Sequence, residues 1–165
     1  MEYADYNQGP CSMLGLVCAG LPDLRRRDAR QVSPLVLAYI GDTIYDLFVR
    51  TLLVERTDAT AHKMHLQAAK HVCAAAQAEA SRRILPLLSE EECAVFKRGR
   101  NAHMGTVPKH AQIADYRAAT GLEALLGYLY LSGADTRLAE LMRMALGYAA
   151  DAGPLPLQEE GGPQV

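Results

Sequence analysis

Two acidic residues interrupt strongly apolar stretches of this sequence. Asp42 lies in YIGDTIY (39–45) and Glu123 lies in LEALLGYLYL (122–131). An unpaired carboxylate costs several kcal/mol to bury, so each acid must be paired, protonated or bound to a cation. Both stretches also carry glycine, which costs about 1 kcal/mol inside a helix. We interpret these glycines, Gly41 on one stretch and Gly127 on the other with Gly121 just before it, as places where another backbone approaches closely.

Two apolar helices that cross at such glycines would bring Asp42 and Glu123 together. The two carboxylates would repel each other unless a positive group lay between them. A hard divalent cation with oxygen ligands, Mg²⁺ or Mn²⁺, would relieve that repulsion. A buried, hydrogen-bonded pair of carboxyl groups is the alternative. Asp46, one turn beyond Asp42, is either an outer ligand or an i,i+4 partner of Arg50, and we favour the ion pair.

The elements that carry these acids are predicted to be helical, because Ala and Leu are plentiful while Val, Ile and aromatic residues are sparse. Ser33-Pro34 is a helix start, and we expect a central helix, apolar on nearly all sides, to about residue 54. The remaining helices are predicted at about 60–85 with a kink, at 89–100 after a capping box, at 111–131, and after residue 135, where Asp135 is the predicted cap. Thr120-Gly121 is a point where the helix at 111–131 could break. The fold class is therefore all-α.

The length of 165 residues favours one domain. We expect residues 31–150 to form it, with a flexible extension at 1–30 and a disordered tail at 151–165. The four cysteines form no C-x-x-C pair, which favours reduced thiols in a cytoplasm, and Cys73 and Cys93 are expected in the core. No uncharged apolar run is long enough to span a membrane, so no membrane partner is expected.

The formal net charge is −2, but the basic residues are concentrated in two segments. Residues 97–117 have a local net charge of +4 and residues 60–83 one of +3. Such segments predict an anion-binding face, and ordinary solvated helix surface is the alternative. The histidines at 62, 65 and 71 with Cys73 lack a clean fourth partner for zinc, so we interpret the histidines as surface or RNA-contacting residues.

Several separate motifs together carry a family resemblance. The stretches around Asp42 and Glu123 resemble the two acidic motifs of ribonuclease III endonuclease domains. The segments FKRGRNA (96–102) and DYRAAT (115–120) are similar to the bacterial Mini-ribonuclease III family, a short relative without a double-stranded-RNA-binding domain. The resemblance covers residues 31–150.

The resemblance implies a homodimeric, all-α, Mg²⁺-dependent endonuclease that cuts double-stranded RNA and leaves 5′-phosphate and 3′-hydroxyl ends. Its usual substrate is a stem in the precursor of large-subunit (23S) ribosomal RNA, and a large-subunit ribosomal protein can be a partner. Asp42 and Glu123 match the metal-binding catalytic acids. Ala38 and Thr120 stand where full-length ribonuclease III has further carboxylates, which predicts weaker Mg²⁺ binding with more water ligands.

The basic segments then become candidate contacts to the phosphates and 2′-hydroxyls of A-form RNA. The first group flanks the loop before the second acidic motif, and the second group lies in the segment 60–83. The candidate RNA-binding residues are Arg98, Arg100, Asn101 and Lys109 in the first group, and Lys63, His65 and Lys70 in the second. A non-catalytic helical RNA-binding or ribosome-assembly module is the alternative function, but the presence of both acids favours the enzyme.

Overall fold

A computed structural model describes residues 12–21, 27–102 and 112–148, and every regular element in these ranges is helical. The all-α prediction is confirmed. Seven α-helices follow one another, with short 3₁₀ turns at Ala29–Gln31 and Leu85–Leu87. They are α1 (Met13–Gly20), α2 (Pro34–Arg56), α3 (Ala61–Val72), α4 (Ala74–Ile84), α5 (Glu90–Asn101), α6 (Ile113–Leu131) and α7 (Asp135–Ala145).

The helix ends follow the local signals of the sequence. Pro34 opens α2 after Ser33, and Cys73, in an extended conformation, separates α3 from α4. The capping box at the start of α5 is complete, because the Ser89 hydroxyl accepts from the Glu92 N–H at 3.2 Å while the Glu92 carboxylate accepts from the Ser89 N–H at 2.8 Å. Gly133, with φ of +71°, ends α6.

Helix α6 runs unbroken through Thr120-Gly121, so the expected break at this point is wrong. The Thr120 hydroxyl donates to the Tyr116 carbonyl one turn earlier, at 3.1 Å, which keeps the side chain within the helical path. Gly121 lies directly against the ring and carbonyl of Phe96 on α5. The glycine here serves helix packing and does not interrupt the helix.

The crossing of α2 and α6 is the centre of the fold. A Cβ on Gly41 would collide with the backbone carbonyl of Glu123, and a Cβ on Gly127 would collide with the carbonyl of Leu37. The two helix backbones therefore touch at two reciprocal points. This confirms that the glycines allow close backbone approach and that they do so between the two acidic motifs.

The core surrounds α6. All residues from 119 to 130 are buried except Glu123, which is half-buried. Helices α4, α5 and α7 pack around α6, and Arg137 of α7 donates to the Glu92 carboxylate of α5 at 2.8 Å. The largest fully buried apolar side chains are Leu37, Leu53, Ile84, Leu122, Leu125, Leu126, Leu138, Leu141 and Met142.

Helix α2 differs from the fully buried helix expected from its composition. An apolar stripe along its outer face is exposed, and its exposed members are Val36, Tyr39, Leu47 and Val54. The opposite side of α2, which holds Leu37, Gly41 and Val49, is buried against the neighbouring helices. One chain alone therefore leaves part of this apolar helix in water.

A helix occupies part of the region expected to be a flexible extension. The Ser12 hydroxyl caps α1 by accepting from the Gly15 N–H at 2.9 Å, and the Met13 N–H donates to the carboxylate of Asp135. Asp135 was predicted to cap α7, but it lies inside that helix and holds α1 in place, while Ala134 is the N-cap. The expected tail at 151–165 lies outside the described residues.

Two further expectations concern cysteines and membranes. Cys93 is half-buried but Cys73 is exposed at the break between α3 and α4, so placing Cys73 in the core was wrong. Among the described helices, none combines the length and apolar character needed to cross a membrane.

We expect Gly41→Ala to destabilise the protein by about 3 kcal/mol or more, because the added methyl group forces α2 and α6 apart. Gly20→Ala is the matched control, since a Cβ at Gly20 meets nothing within 4 Å. Urea denaturation followed by circular dichroism measures both variants. Equal stability of the two variants would contradict the close crossing.

Candidate active site

A cleft of about 370 Å³ opens where α2, α4 and α6 meet. Asp42 of α2 and Glu123 of α6 both line it, on helices held by the glycine contacts described above. The other lining residues are Leu35, Ala38, Tyr39, Val72, Ala74, Gln77, Tyr116, Ala119 and Thr120. The cleft thus has a mixed polar and apolar lining that includes both acids.

Asp42 and Glu123 interact directly. Burial and the adjacent charge of Asp42 raise the pKa of Glu123 to about 8, and a hydrogen bond from the Gln77 side chain opposes this shift. Glu123 is half-buried, whereas Asp42 is exposed to the cleft, so the expectation of two buried acids holds only in part. The cleft gives Asp42 access to solvent that the apolar pattern of α2 did not predict.

Asp46 takes no part in the cleft. Its carboxylate accepts from the Arg50 guanidinium at 2.6 Å in an i,i+4 pair, as we favoured from the sequence. Ala38 and Thr120, which stand where full-length ribonuclease III is expected to have further carboxylates, both line the cleft. The described part of the cleft thus offers two carboxylates.

This donor set suits a hydrated hard cation. Mg²⁺ commonly binds through one or two carboxylates and keeps several waters, so Asp42 and Glu123 would hold it without further protein ligands. A cation would also relieve the repulsion that raises the pKa of Glu123. No cluster of three or more His, Cys, Asp or Glu side chains able to hold a metal occurs among the described residues, and the zinc alternative gains no support.

The first basic group lies at the end of α5 beside the cleft. Gly99 of α5 approaches Thr120 of α6 so closely that a Cβ on Gly99 would lie 2.9 Å from the Thr120 carbonyl oxygen. Arg98 and Arg100 flank Gly99 in the sequence, Asn101 is the last residue of α5, and all three are exposed. Lys109 lies outside the described residues.

The second basic group divides between two faces of α3. Lys63 and Lys70 are seven residues apart and share a face, while His65 points about 160° away from Lys63 because each residue turns a helix by about 100°. All three side chains are exposed. The structure therefore does not bring His65 together with the two lysines.

Sequence reasoning missed Gln77 and Tyr116, which both line the cleft. The signal for Gln77 was its position, since it shares the buried face of α4 with Ser81 and Ile84. A polar residue on that face needs a reason, and Glu123 supplies it. Tyr116 lies on α6 one turn before Thr120, and nothing in its spacing marked it out.

Comparisons with known proteins agree with this geometry. The model of the Ribonuclease III domain family matches residues 35–134, which include both acids. A Mini-ribonuclease 3 of Clostridium tetani is 45% identical over 75% of this chain and 83% of its own length. A Mini-ribonuclease 3 of a Thermoanaerobacter species is 45% identical over 74% of this chain and 87% of its own.

The chain belongs to the Mini-ribonuclease 3 group of the ribonuclease III family. A crystal structure of a Fusobacterium nucleatum protein shares the fold, with a TM-score of 0.66 and 27% identity over 73% of this chain and 96% of that one. The protein is accordingly an endoribonuclease of the ribonuclease III type, a class of enzymes that generally depends on divalent metal ions.

The raised pKa of Glu123 predicts a pH-dependent stability. With a folded-state pKa of about 8 against 4.5 ordinarily, the folded protein retains a proton that the unfolded chain releases between these values. Stability therefore falls as pH rises from about 4.5 to 8. Glutamine does not titrate. We therefore expect the melting temperature of Glu123→Gln minus that of the unsubstituted protein, both in EDTA, to be larger at pH 8.5 than at pH 5.

Differential scanning fluorimetry at the two pH values measures this gain. Mg²⁺ added at pH 8.5 should raise the melting temperature of the unsubstituted protein more than that of Glu123→Gln, because a bound ion stabilises only the state that binds it. An equal melting-temperature difference between the two proteins at both pH values would show that the pKa of Glu123 is not raised.

Proposed function

We propose that this protein is a Mg²⁺-dependent endonuclease of double-stranded RNA, with Mn²⁺ as a substitute ion. The observation that carries the proposal is the meeting of Asp42 and Glu123 in one cleft, with the pKa of Glu123 raised to about 8. A hydrogen bond between the two carboxyl groups accounts for the arrangement only while Glu123 keeps its proton. A cation that both bind, and a phosphodiester brought to that cation, account for the arrangement.

Asp42 and Glu123 are the proposed catalytic, metal-binding residues. A divalent cation bound there would polarise the scissile phosphate, activate the attacking water and stabilise the leaving 3′-oxygen. Asp42, exposed to the cleft, holds its carboxylate where a substrate phosphate arrives. Glu123 is half-buried, so its carboxylate would bind the cation from the inner wall of the cleft. The expected products carry 5′-phosphate and 3′-hydroxyl ends.

Duplex RNA would be held through its backbone, because the bases of an A-form helix are poorly accessible to side chains. The exposed end of α5, with Arg98, Arg100 and Asn101, lies beside the cleft and suits this role. The further proposed contacts are Lys109, which precedes α6 in the sequence, and Lys63, His65 and Lys70 on α3. Because the formal net charge of the chain is −2, its affinity for duplex RNA should be weak and should fall as the salt concentration rises.

A homodimer is the proposed working form. The stripe of Val36, Tyr39, Leu47 and Val54 on α2 is apolar and exposed, which is typical of an association surface. Tyr39 is 81% exposed and also lines the cleft, so a second copy on this stripe would complete the rim of the site. Two clefts in a twofold dimer would cut one strand each of a duplex.

The proposed natural substrate is a stem in the precursor of 23S ribosomal RNA, in the cytoplasm. The family resemblance of the two acidic motifs supports this choice. The formal net charge of −2 also supports it, because the chain has no overall positive charge to attract RNA in general. A protein with little general attraction for RNA needs a particular RNA shape, or a helper such as a large-subunit ribosomal protein that presents the stem.

Asp42→Asn should fold and bind duplex RNA but cleave it about a hundredfold more slowly or worse, because one carboxylate cannot retain the cation. The measurement is cleavage of a long RNA duplex with Mg²⁺ or EDTA, followed on denaturing gels. Asp46→Asn is the control, since Asp46 lies one turn away on α2 and pairs only with Arg50. Cleavage in the presence of EDTA, or full activity of Asp42→Asn, would contradict the proposed function.

Replacing Arg98 and Arg100 together by Ala should raise KM and flatten the salt dependence of RNA binding. Removing a side chain that neutralises one phosphate reduces the slope of log K against log salt by about 0.7–0.9. Fluorescence anisotropy with a labelled duplex in Ca²⁺ at several salt concentrations gives this slope. Arg82→Ala is the control, because Arg82 pairs with Glu79 on α4. An unchanged salt slope in the Arg98 and Arg100 double variant would count against their contact with RNA.

Leu47→Glu should convert the dimer to a monomer, because it places a charge in the centre of the apolar stripe. Light scattering coupled to size exclusion gives the mass of the 18.0 kDa chain and of its dimer directly. Leu85→Glu is the control, since Leu85 is exposed but lies away from α2 at the end of α4. A dimeric Leu47→Glu protein would place the interface elsewhere.

A further inference from the structure

Gln77 is an unusual residue for its position. It is only 1% exposed, on a helix face otherwise made of small and apolar side chains, and it forms one wall of the cleft. A leucine or methionine of similar size would fill this space without any polar group to satisfy. The position therefore carries a cost that packing does not explain.

The Gln77 side chain has two hydrogen-bond partners. It donates to the Val72 carbonyl at 3.3 Å, and the side chain also hydrogen-bonds the carboxyl group of Glu123. The Val72 carbonyl is available because α3 ends at this residue, and the last carbonyls of a helix have no partner within it. The break at Cys73 thus supplies the anchor for the Gln77 amide.

This orientation leaves the amide oxygen without a protein partner. Oε1 of Gln77 is buried and accepts no hydrogen bond from any described residue. An unsatisfied buried acceptor costs about 1–3 kcal/mol. Turning the amide over would place Oε1 against the Val72 carbonyl and would withdraw the donor from Glu123, so the observed orientation is the one that serves the carboxylate.

We propose that Gln77 is the positioning residue of the site: its amide N–H groups bridge the Val72 carbonyl and the Glu123 carboxylate and hold that carboxylate towards Asp42. This inference rests on the proposed function, because it assigns Gln77 a role in cation binding at that site. Gln77 acts through Glu123 and does not itself touch the reacting atoms. Its removal should free Glu123 to rotate, which weakens the joint binding of a cation by the two acids.

Gln77→Met tests the proposal, because methionine keeps the length and approximate volume of glutamine but has no amide. We expect Mn²⁺ affinity, measured by calorimetry on the RNA-free protein, to fall about tenfold, as is usual when a partner of a metal ligand is removed. With duplex RNA, kcat should fall by a similar factor while KM changes less than about twofold. The melting temperature in EDTA should stay the same or rise, since the substitution removes an unsatisfied acceptor.

Gln67→Met is the matched control. Gln67 on α3 also has a buried side-chain oxygen without a described partner, but it does not line the cleft. It should bind Mn²⁺ as the unsubstituted protein does. Gln77→Leu, a second apolar replacement, should reproduce the reduced affinity and kcat of Gln77→Met and serves if that variant fails to fold.

Two results would overturn the proposal. One is Mn²⁺ affinity and kcat within twofold of the unsubstituted protein in the folded Gln77 variants. The other is a fall in melting temperature and kcat with unchanged Mn²⁺ affinity, which would make Gln77 a packing residue. Failure of the unsubstituted protein to cleave duplex RNA would instead contradict the proposed function, and Mn²⁺ binding would still decide the role of Gln77.

Discussion

The direct backbone contact between α2 and α6 is the constraint on which the rest of the structure depends. Gly41 lies on the Glu123 carbonyl and Gly127 lies on the Leu37 carbonyl, so neither helix can shift without a clash. Glycine costs helix stability at both positions, and the burial of the leucines around α6 offsets that cost. Because Asp42 follows Gly41 directly and Gly127 lies one turn after Glu123, the contact also fixes the separation of the two acids.

This packing creates an electrostatic problem that function resolves. Two carboxylates share a cleft, and burial together with the charge of Asp42 raises the pKa of Glu123 to about 8. A protein selected only for stability would replace one acid, whereas a protein that must bind a hard cation needs both. The proposed role of Gln77 is consistent with this, since its buried amide oxygen has no partner among the described residues while its side chain hydrogen-bonds Glu123.

The sequence was informative wherever a local rule applied. The Ser33-Pro34 start, the Ser89 capping box and the glycines opposite the two acids follow from propensity, capping and close packing, and the structure confirms them. Tertiary context decided the rest. The exposure of Asp42, the solvent-facing stripe of α2 and the inward position of Gln77 depend on which helix covers which face, and hydrophobic periodicity does not encode that.

The glycine crossing brings Asp42 and Glu123 together, and the central proposal is that the two acids share one cation. A crystal of the protein soaked in Mn²⁺, with diffraction recorded at the manganese absorption edge, tests this most directly. We predict an anomalous peak within bonding distance of both carboxylates, which should be absent from crystals of Glu123→Gln treated in the same way. A peak at another cluster, or none in this cleft although RNA cleavage requires Mn²⁺, would contradict a shared cation site.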